Sequence, residues 1–306
     1  AVQHNAADIK QGTYGENDMQ YLRFENLIVL LLLATPAVAQ EEITFKSTEV
    51  SAGIFMLEGV GGFVGGNLGV LAGEDGVVLI DDGLEQYNVK LLAAVSDAAG
   101  APVNFVINTH LHGDHTGGNA ALHAHGARIV AHDNIRARML ESDTVRDALP
   151  ELTFNDEMTF HLNDQRAHLV HVPRAHTDGD AIIIFPDANV IHTGDAMFNG
   201  LFPFIDLDSG GSVGGFIAAQ TRMIELANEE TRIIPGHGPL ANRADLVRAR
   251  DMLADAETRV QALLDKGMSG EEILAANPLA DYHDNWSWEF ITTERMTESL
   301  IRALSD

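Results

Sequence analysis

Four times along this chain a short apolar run ends on histidine, aspartate or glycine, and this pattern limits the possible folds more than any other feature. V-N-F-V-I-N at 103–108 leads straight into T-H-L-H-G-D-H at 109–115, and R-A-H-T-D-G-D at 174–180, H-T-G-D-A at 192–196 and I-I-P-G-H-G-P at 233–239 repeat the arrangement. Runs this short, bounded by turn residues, read as buried strands. Alternate side chains of an extended segment share a face, so His110, His112 and Asp114 start on one side of the chain. Gly113 is expected to allow a tight turn that carries Asp114 and His115 toward a second point. Two adjacent ligand groups on one loop imply two metals. The chain has no cysteine, so any metal must be held by nitrogen and oxygen.

The rest of the chain supports a mixed α/β fold. Apolar runs at 54–57, 68–71 and 77–80 read as strands, with Asp75-Gly76 as a hairpin turn, and 87–99 has helical spacing. Further strands are expected at 127–131, 157–162, 167–172, 181–185 and 190–193, and helices at about 117–124, 133–141 and 213–228. After Pro239 the sequence turns charged and rich in alanine and leucine. Helices are expected there at 241–266, 270–276 and 291–304, with no further strand, and the length of 240–306 favours a helical layer on the same core.

Residues 19–39 read as a secretory signal peptide: Met19, an apolar run from Leu27 to Leu33, and Ala37-Val38-Ala39 as the cleavage site. That run is too short to span a bilayer. Residues 1–18 read as an upstream extension outside the native protein. The expected mature domain covers 40–306 and is periplasmic or secreted. A formal charge of −26 disfavours nucleic acid as a partner, and oligomeric state is not legible.

H-x-H-x-D-H, then H-T-x-G-D, T-G-D and G-H-G in that order resemble the metallo-β-lactamase superfamily over most of 43–239. The resemblance implies a four-layer αββα sandwich with a C-terminal helical segment, and a small-molecule substrate. It implies that His110, His112 and His176 hold one zinc, that Asp114, His115 and His237 hold another, and that Asp195 bridges them. Two zinc ions are expected, with iron or manganese as other options. Relatives with a redox di-iron centre carry an acid where His112 stands, which favours hydrolysis. A hydroxide shared by the metals would attack a carbonyl, and Asp114 would orient it and shuttle a proton.

Asp81, in V-L-I-D-D-G, reads either as support for the metal loops or as a turn acid capping backbone amides. The glycine-rich stretch 59–67 lacks a phosphate-binding pattern and is expected to form a mobile substrate flap carrying Phe63, with a plain turn as the alternative. L-D-S-G-G-S at 207–212 matches a serine-protease nucleophile loop, but Ser212 is better explained as a helix N-cap.

Asp195 stands where dedicated β-lactamases carry Cys or Ser, and Phe198 where they carry a carboxylate-binding Lys. This ligand set resembles the glyoxalase and lactonase branches. The expected activity is zinc hydrolysis of a cyclic amide or ester, with β-lactam turnover incidental. The alternatives are a thioester hydrolase of glyoxalase II type and a non-catalytic metal-binding or interaction protein.

Overall fold

The computed structural model describes residues 42–142 and 144–305; the expected leader at 19–39 and the stretch 1–18 lie outside these residues. One sheet contains, in spatial order, β1 (Thr44–Ser51), β2 (Ile54–Val60), β3 (Leu68–Leu71), β4 (Val77–Ile80), β5 (Val103–Ile107), β6 (Arg128–His132) and β7 (Leu152–Phe154). The second sheet is built from β8 (Glu157–Leu162), β9 (Gln165–His171), β10 (Ala181–Phe185), β11 (Val190–His192), β12 (Arg232–Ile234) and β13 (Ala241–Asn242), in the order β13-β12-β11-β10-β9-β8.

Central strands are apolar on both faces because both faces are covered. Ile54, Met56, Val78, Ile80 and Ile107 of the first sheet meet Leu169, Ile183, Phe185 and Ile234 of the second in an inner core. Leu57, Val70 and Leu79 face outward onto Leu91 and Val95 of α1 (Asn88–Ala99). These two residues lie one turn apart on one helical face, and Gly100, at φ +67°, ends the helix. The second sheet turns Ile182, Ile191 and Ile233 outward. The order is helix, sheet, sheet, helix.

Three short helices belong to the first half of the chain: α2 (Gly113–Thr116), which carries Asp114 and His115, α3 (Asn119–Ala124) and α4 (Asp133–Glu141). The outer helices of the second sheet are α5 (Val213–Leu226), capped by the Ser212 side chain, and α6 (Arg243–Leu264), opened by a capping box between Asn242 and Asp245. Beyond them, α7 (Gly270–Ala276), α8 (His283–Trp286) and α9 (Thr293–Ser305) complete the described chain. Ile273 and Leu300 pack with Phe216, Leu253 and Phe202 in a separate apolar cluster.

The expectation of no strand after Pro239 is corrected by β13, whose two residues pair antiparallel with β12. A pair so short leaves no periodic signal. The helix expected from 117 also divides differently. It is preceded by α2, which holds Asp114 and His115.

Candidate metal centre

Strand direction brings the ligand loops to one end of each sheet. β4 runs parallel to β5, so the loop carrying Asp81 and the loop carrying His110 leave the first sheet on the same side. β11 runs parallel to β12, and β9 and β11 both run antiparallel to β10 between them. The segments after β9, β11 and β12, carrying His176, Asp195 and His237, therefore emerge together. Loops beyond the carboxyl ends of parallel strands commonly form such sites.

All seven expected ligands converge. Ligand atoms of His110, His112 and His176 lie within 4.8 Å of one another, as do those of His110, His115 and Asp195, and those of Asp114, His115 and His237. Asp195 is central: its carboxylate lies 3.2 Å from His115 Nε2, 3.3 Å from His237 Nε2, 3.6 Å from His176 Nε2 and 3.8 Å from His110 Nε2. Asp114 lies 3.5 Å from both His115 and His237.

The outer nitrogens of four rings are already engaged. His176 Nδ1 donates to the Phe204 carbonyl at 2.8 Å, and His112 Nε2 donates to Asp206 at 2.9 Å. His115 Nδ1 donates to Asp81 at 2.8 Å, while His110 Nδ1 lies 3.1 Å from the Thr109 hydroxyl, which itself donates to Asp81. Such partners fix ring orientation and tautomer. With those protons placed outward, His112 Nδ1 and His176 Nε2 present lone pairs to one another across 2.8 Å. The buried atoms His110 Nε2, His115 Nε2 and Asp195 Oδ1 have no hydrogen-bond partner, although the last two are 3.2 Å apart. Facing lone pairs and orphaned buried acceptors are costly unless a cation sits among them. The donor set therefore fits metal ions, and nitrogen with carboxylate suits zinc.

The electrostatics agree. Burial pushes His110 down and holds His176 at about 4, so both stay neutral. Burial also opposes charge on His115 and His237, but Asp195 and Asp114 override it, raising His115 well above its usual value and His237 to about 9. Burial acts to raise Asp195 and Asp114, yet the surrounding imidazoles hold both carboxyls low. In the metal-free protein, protons on two histidines supply the positive charge that the carboxylates demand.

Glycines set the closeness of the loops. A Cβ at Gly236 would lie 2.1 Å from Asp195 Oδ1, and one at Gly66 would lie 2.4 Å from the His115 ring. Gly113 is different from expectation. It is the first residue of α2, its φ is not positive, and a Cβ there would meet nothing within 4 Å. The turn comes instead from extended His112 leading directly into helix. Asp81 does both jobs considered for it: it caps the Thr109 amide at 2.7 Å and orients His115. Its own φ of +59° is a backbone cost accepted at that position.

Asp206 was missed by sequence reasoning, whereas His192, which opens H-T-G-D-A and matches no ligand position, is fully buried against Gly69. The neighbouring 207–212 stretch was noticed only as a protease-like decoy. Above the ligands lies a cavity of about 770 Å³ walled by Phe63, Phe198, Phe204, Trp288 and Phe290. The Phe63 ring stacks 6.0 Å from His237, and Asn67 anchors the same hairpin by donating to the carbonyls of Pro235 and Gly238. Trp288 Nε1 donates to the Phe202 carbonyl at 3.0 Å, holding the last wall in place. Aromatic crowding in F-N-G-L-F-P-F (198–204) and W-S-W-E-F (286–290) was the available signal for these walls.

Residues 61–248 match the profile of the metallo-beta-lactamase superfamily. The chain belongs to that superfamily. Two solved structures share the fold: the metallo-beta-lactamase from Pontibacter korlensis (TM-score 0.60, 19% identity, 69% of this chain and 99% of that one) and the DIM-1 metallo-beta-lactamase (TM-score 0.59, 17% identity, 70% and 100%). Among curated proteins, the chain is 28% identical over 181 residues to the hydroxyacylglutathione hydrolase of Polaromonas sp. (strain JS666 / ATCC BAA-500), covering 58% of this chain and 64% of that protein. It is 34% identical over 103 residues to the enzyme of the same name from Methylococcus capsulatus (strain ATCC 33009 / NCIMB 11132 / Bath), covering 33% and 37%. The chain thus spans under two thirds of these relatives' length. No described helix is long and apolar enough to cross a membrane.

Proposed function

We propose that this superfamily member is an exported dinuclear zinc hydrolase that opens a cyclic ester or amide. His110, His112 and His176 would hold one ion and Asp114, His115 and His237 the other, with Asp195 available to both. The observation that carries this reading is the set of three overlapping ligand clusters, with orphaned imidazole and carboxylate atoms directed between them.

Zinc held there would supply Lewis acidity, lowering the pKa of water toward about 7 and offering positive charge where a carbonyl oxygen gains negative charge during acyl transfer. The protein's own groups do the rest. Asp114 lines the cavity floor as an anion, placed to take a proton from the attacking water and hand it to the leaving group. Asp81, Asp206, Thr109 and the Phe204 carbonyl keep the rings from rotating out of position. The aromatic walls exclude bulk water from the reacting carbonyl.

A second reading, thioester hydrolysis, is supported by the name of the curated relatives. Steady-state assays of the zinc-loaded protein on a lactone, a β-lactam and a glutathione thioester separate the two. The lactone should have the highest kcat/KM. A thioester preference would install the second reading, and silence on all three with two zinc ions bound would leave only a metal-binding role.

A further inference from the structure

The cavity walls have a composition that the metal ligands do not require. Apart from those ligands, the lining is apolar except for Glu289, which is exposed and acidic, and no lysine or arginine lines it among the described residues. Arg295 is close by but committed elsewhere: its guanidinium lies 4.0 Å over the Phe290 ring and donates to the Phe290 carbonyl at 2.9 Å. It braces the wall rather than facing the cavity. Phe204, Phe290 and Trp288 form a continuous edge, with ring centroids 5.4 and 5.6 Å apart, and Phe198 joins it 6.2 Å from Trp288. Trp288 and Phe290 lie outside the 61–248 span shared with the superfamily profile, so this part of the wall belongs to the chain's own C-terminal segment.

We propose that this cavity selects uncharged substrates whose acyl part is a bulky alkyl or aryl group, and that residues 286–290 are the specificity-determining segment. The proposal rests on the hydrolase reading for the chemistry but on the walls alone for the selectivity. A glutathione thioester carries two carboxylates remote from the scissile bond. Against phenyl and indole rings, with no lysine or arginine among the described lining residues and Glu289 at the same surface, both would lose hydration without replacement. An alkyl or aryl chain meets the opposite situation, since each buried methylene is worth roughly a three- to four-fold gain in binding. The cavity's size falls within the range of about 300–1,000 Å³ typical of small-molecule sites.

The test uses alkyl phenyl ketones from acetophenone to octanophenone, which are uncharged and inert to hydrolysis. Their binding to metal-free and zinc-loaded protein is read by titration calorimetry. Affinity should rise roughly three-fold per methylene until the cavity is filled. The Phe290→Ala variant should flatten that slope and Phe290→Leu should retain most of it. Phe290 is 42% exposed, so neither change threatens the fold, and an unaltered melting temperature verifies this. In parallel, zinc-loaded protein should hydrolyse a neutral octanoyl aryl ester at least 100-fold better, by kcat/KM, than a glutathione thioester. Ketone affinity independent of chain length, or a preference for the thioester, overturns the proposal. Chain-length-dependent ketone binding without turnover of any ester, lactone or thioester upholds the selectivity and overturns the hydrolase reading instead.

Discussion

Two glycines in the metal motifs have opposite structural roles, and exchanging each for alanine separates them. Gly236, in I-I-P-G-H-G-P, has its α-carbon against the central carboxylate: a Cβ would sit 2.1 Å from Asp195 Oδ1 and 2.7 Å from the backbone of Gly194. Ordinary contact begins near 3.4 Å, so Asp195 or the His237 loop must give way by about an ångström. Overpacking of this kind costs about 1–3 kcal/mol. For a chain of this size that is a fall in melting temperature of roughly 3–10 °C. The effect on the centre should be larger in proportion. Asp195 approaches four imidazoles, and displaced ligand support typically costs 10- to 100-fold in metal affinity. Gly236→Ala should therefore fold, melt lower, and bind zinc 10-fold or more weakly. Gly113→Ala, two residues from His115, should keep both zinc ions and melt unchanged or up to about 1 kcal/mol more stably, since alanine suits a helix better than glycine. Metal content after dialysis against a weak chelator, with calorimetric melting, measures both. Full zinc retention in Gly236→Ala, or greater loss in Gly113→Ala, would refute the steric argument.

Replacing Asp114 with alanine should lower kcat by about 10²–10⁴-fold while the histidine triplet retains one zinc; unchanged turnover would remove Asp114 from the proton path. Asp206→Ala should weaken zinc binding roughly 10- to 100-fold, because His112 loses the carboxylate that fixes its ring, and equal affinity in a chelator competition would show that Asp206 is dispensable. Zinc uptake at pH 7 should release about two protons, one from His237, held at about 9, and one from His115, also held above its usual value. His176, at about 4, and His110 are already neutral at that pH and add none. Metal affinity should therefore fall as pH drops, and the share due to His237 should stop growing above about pH 9. Calorimetry in two buffers of different ionisation enthalpy counts the protons, and a count near zero would sink this charge assignment.

What the sequence made legible was the chemistry that sits at strand ends. Each expected ligand follows an apolar run whose end is marked by glycine, aspartate or histidine, and those strands depend on little beyond local hydrophobic pattern. β1 gave no such signal, because T-F-K-S-T-E-V-S is a half-exposed edge strand whose polar side chains mask the two-residue period. Asp206 was invisible for another reason. It meets His112 across 94 residues, from an irregular segment whose path is set by packing against His176 and α5. Gly113 was misread because glycine beside a ligand suggests a strained turn, whereas only coordinates reveal that the space around it is empty.

The same distinction explains why ligand identity and substrate identity separate so cleanly in this chain. The candidate ligands are drawn from the ends of β5, β9, β11 and β12, elements fixed by the inner core of the sandwich, so few alternative placements exist for them. The cavity walls come from connecting segments: Phe63 from the β2–β3 hairpin, Phe198 and Phe204 from the stretch before α5, and Trp288 and Phe290 from the link between α8 and α9. Such segments can change length and composition without disturbing the sheets that carry the metal loops. Specificity in this protein is accordingly a property of residues that the metal-binding motifs do not include, and substitutions at 286–290 should redirect substrate choice while leaving zinc stoichiometry untouched.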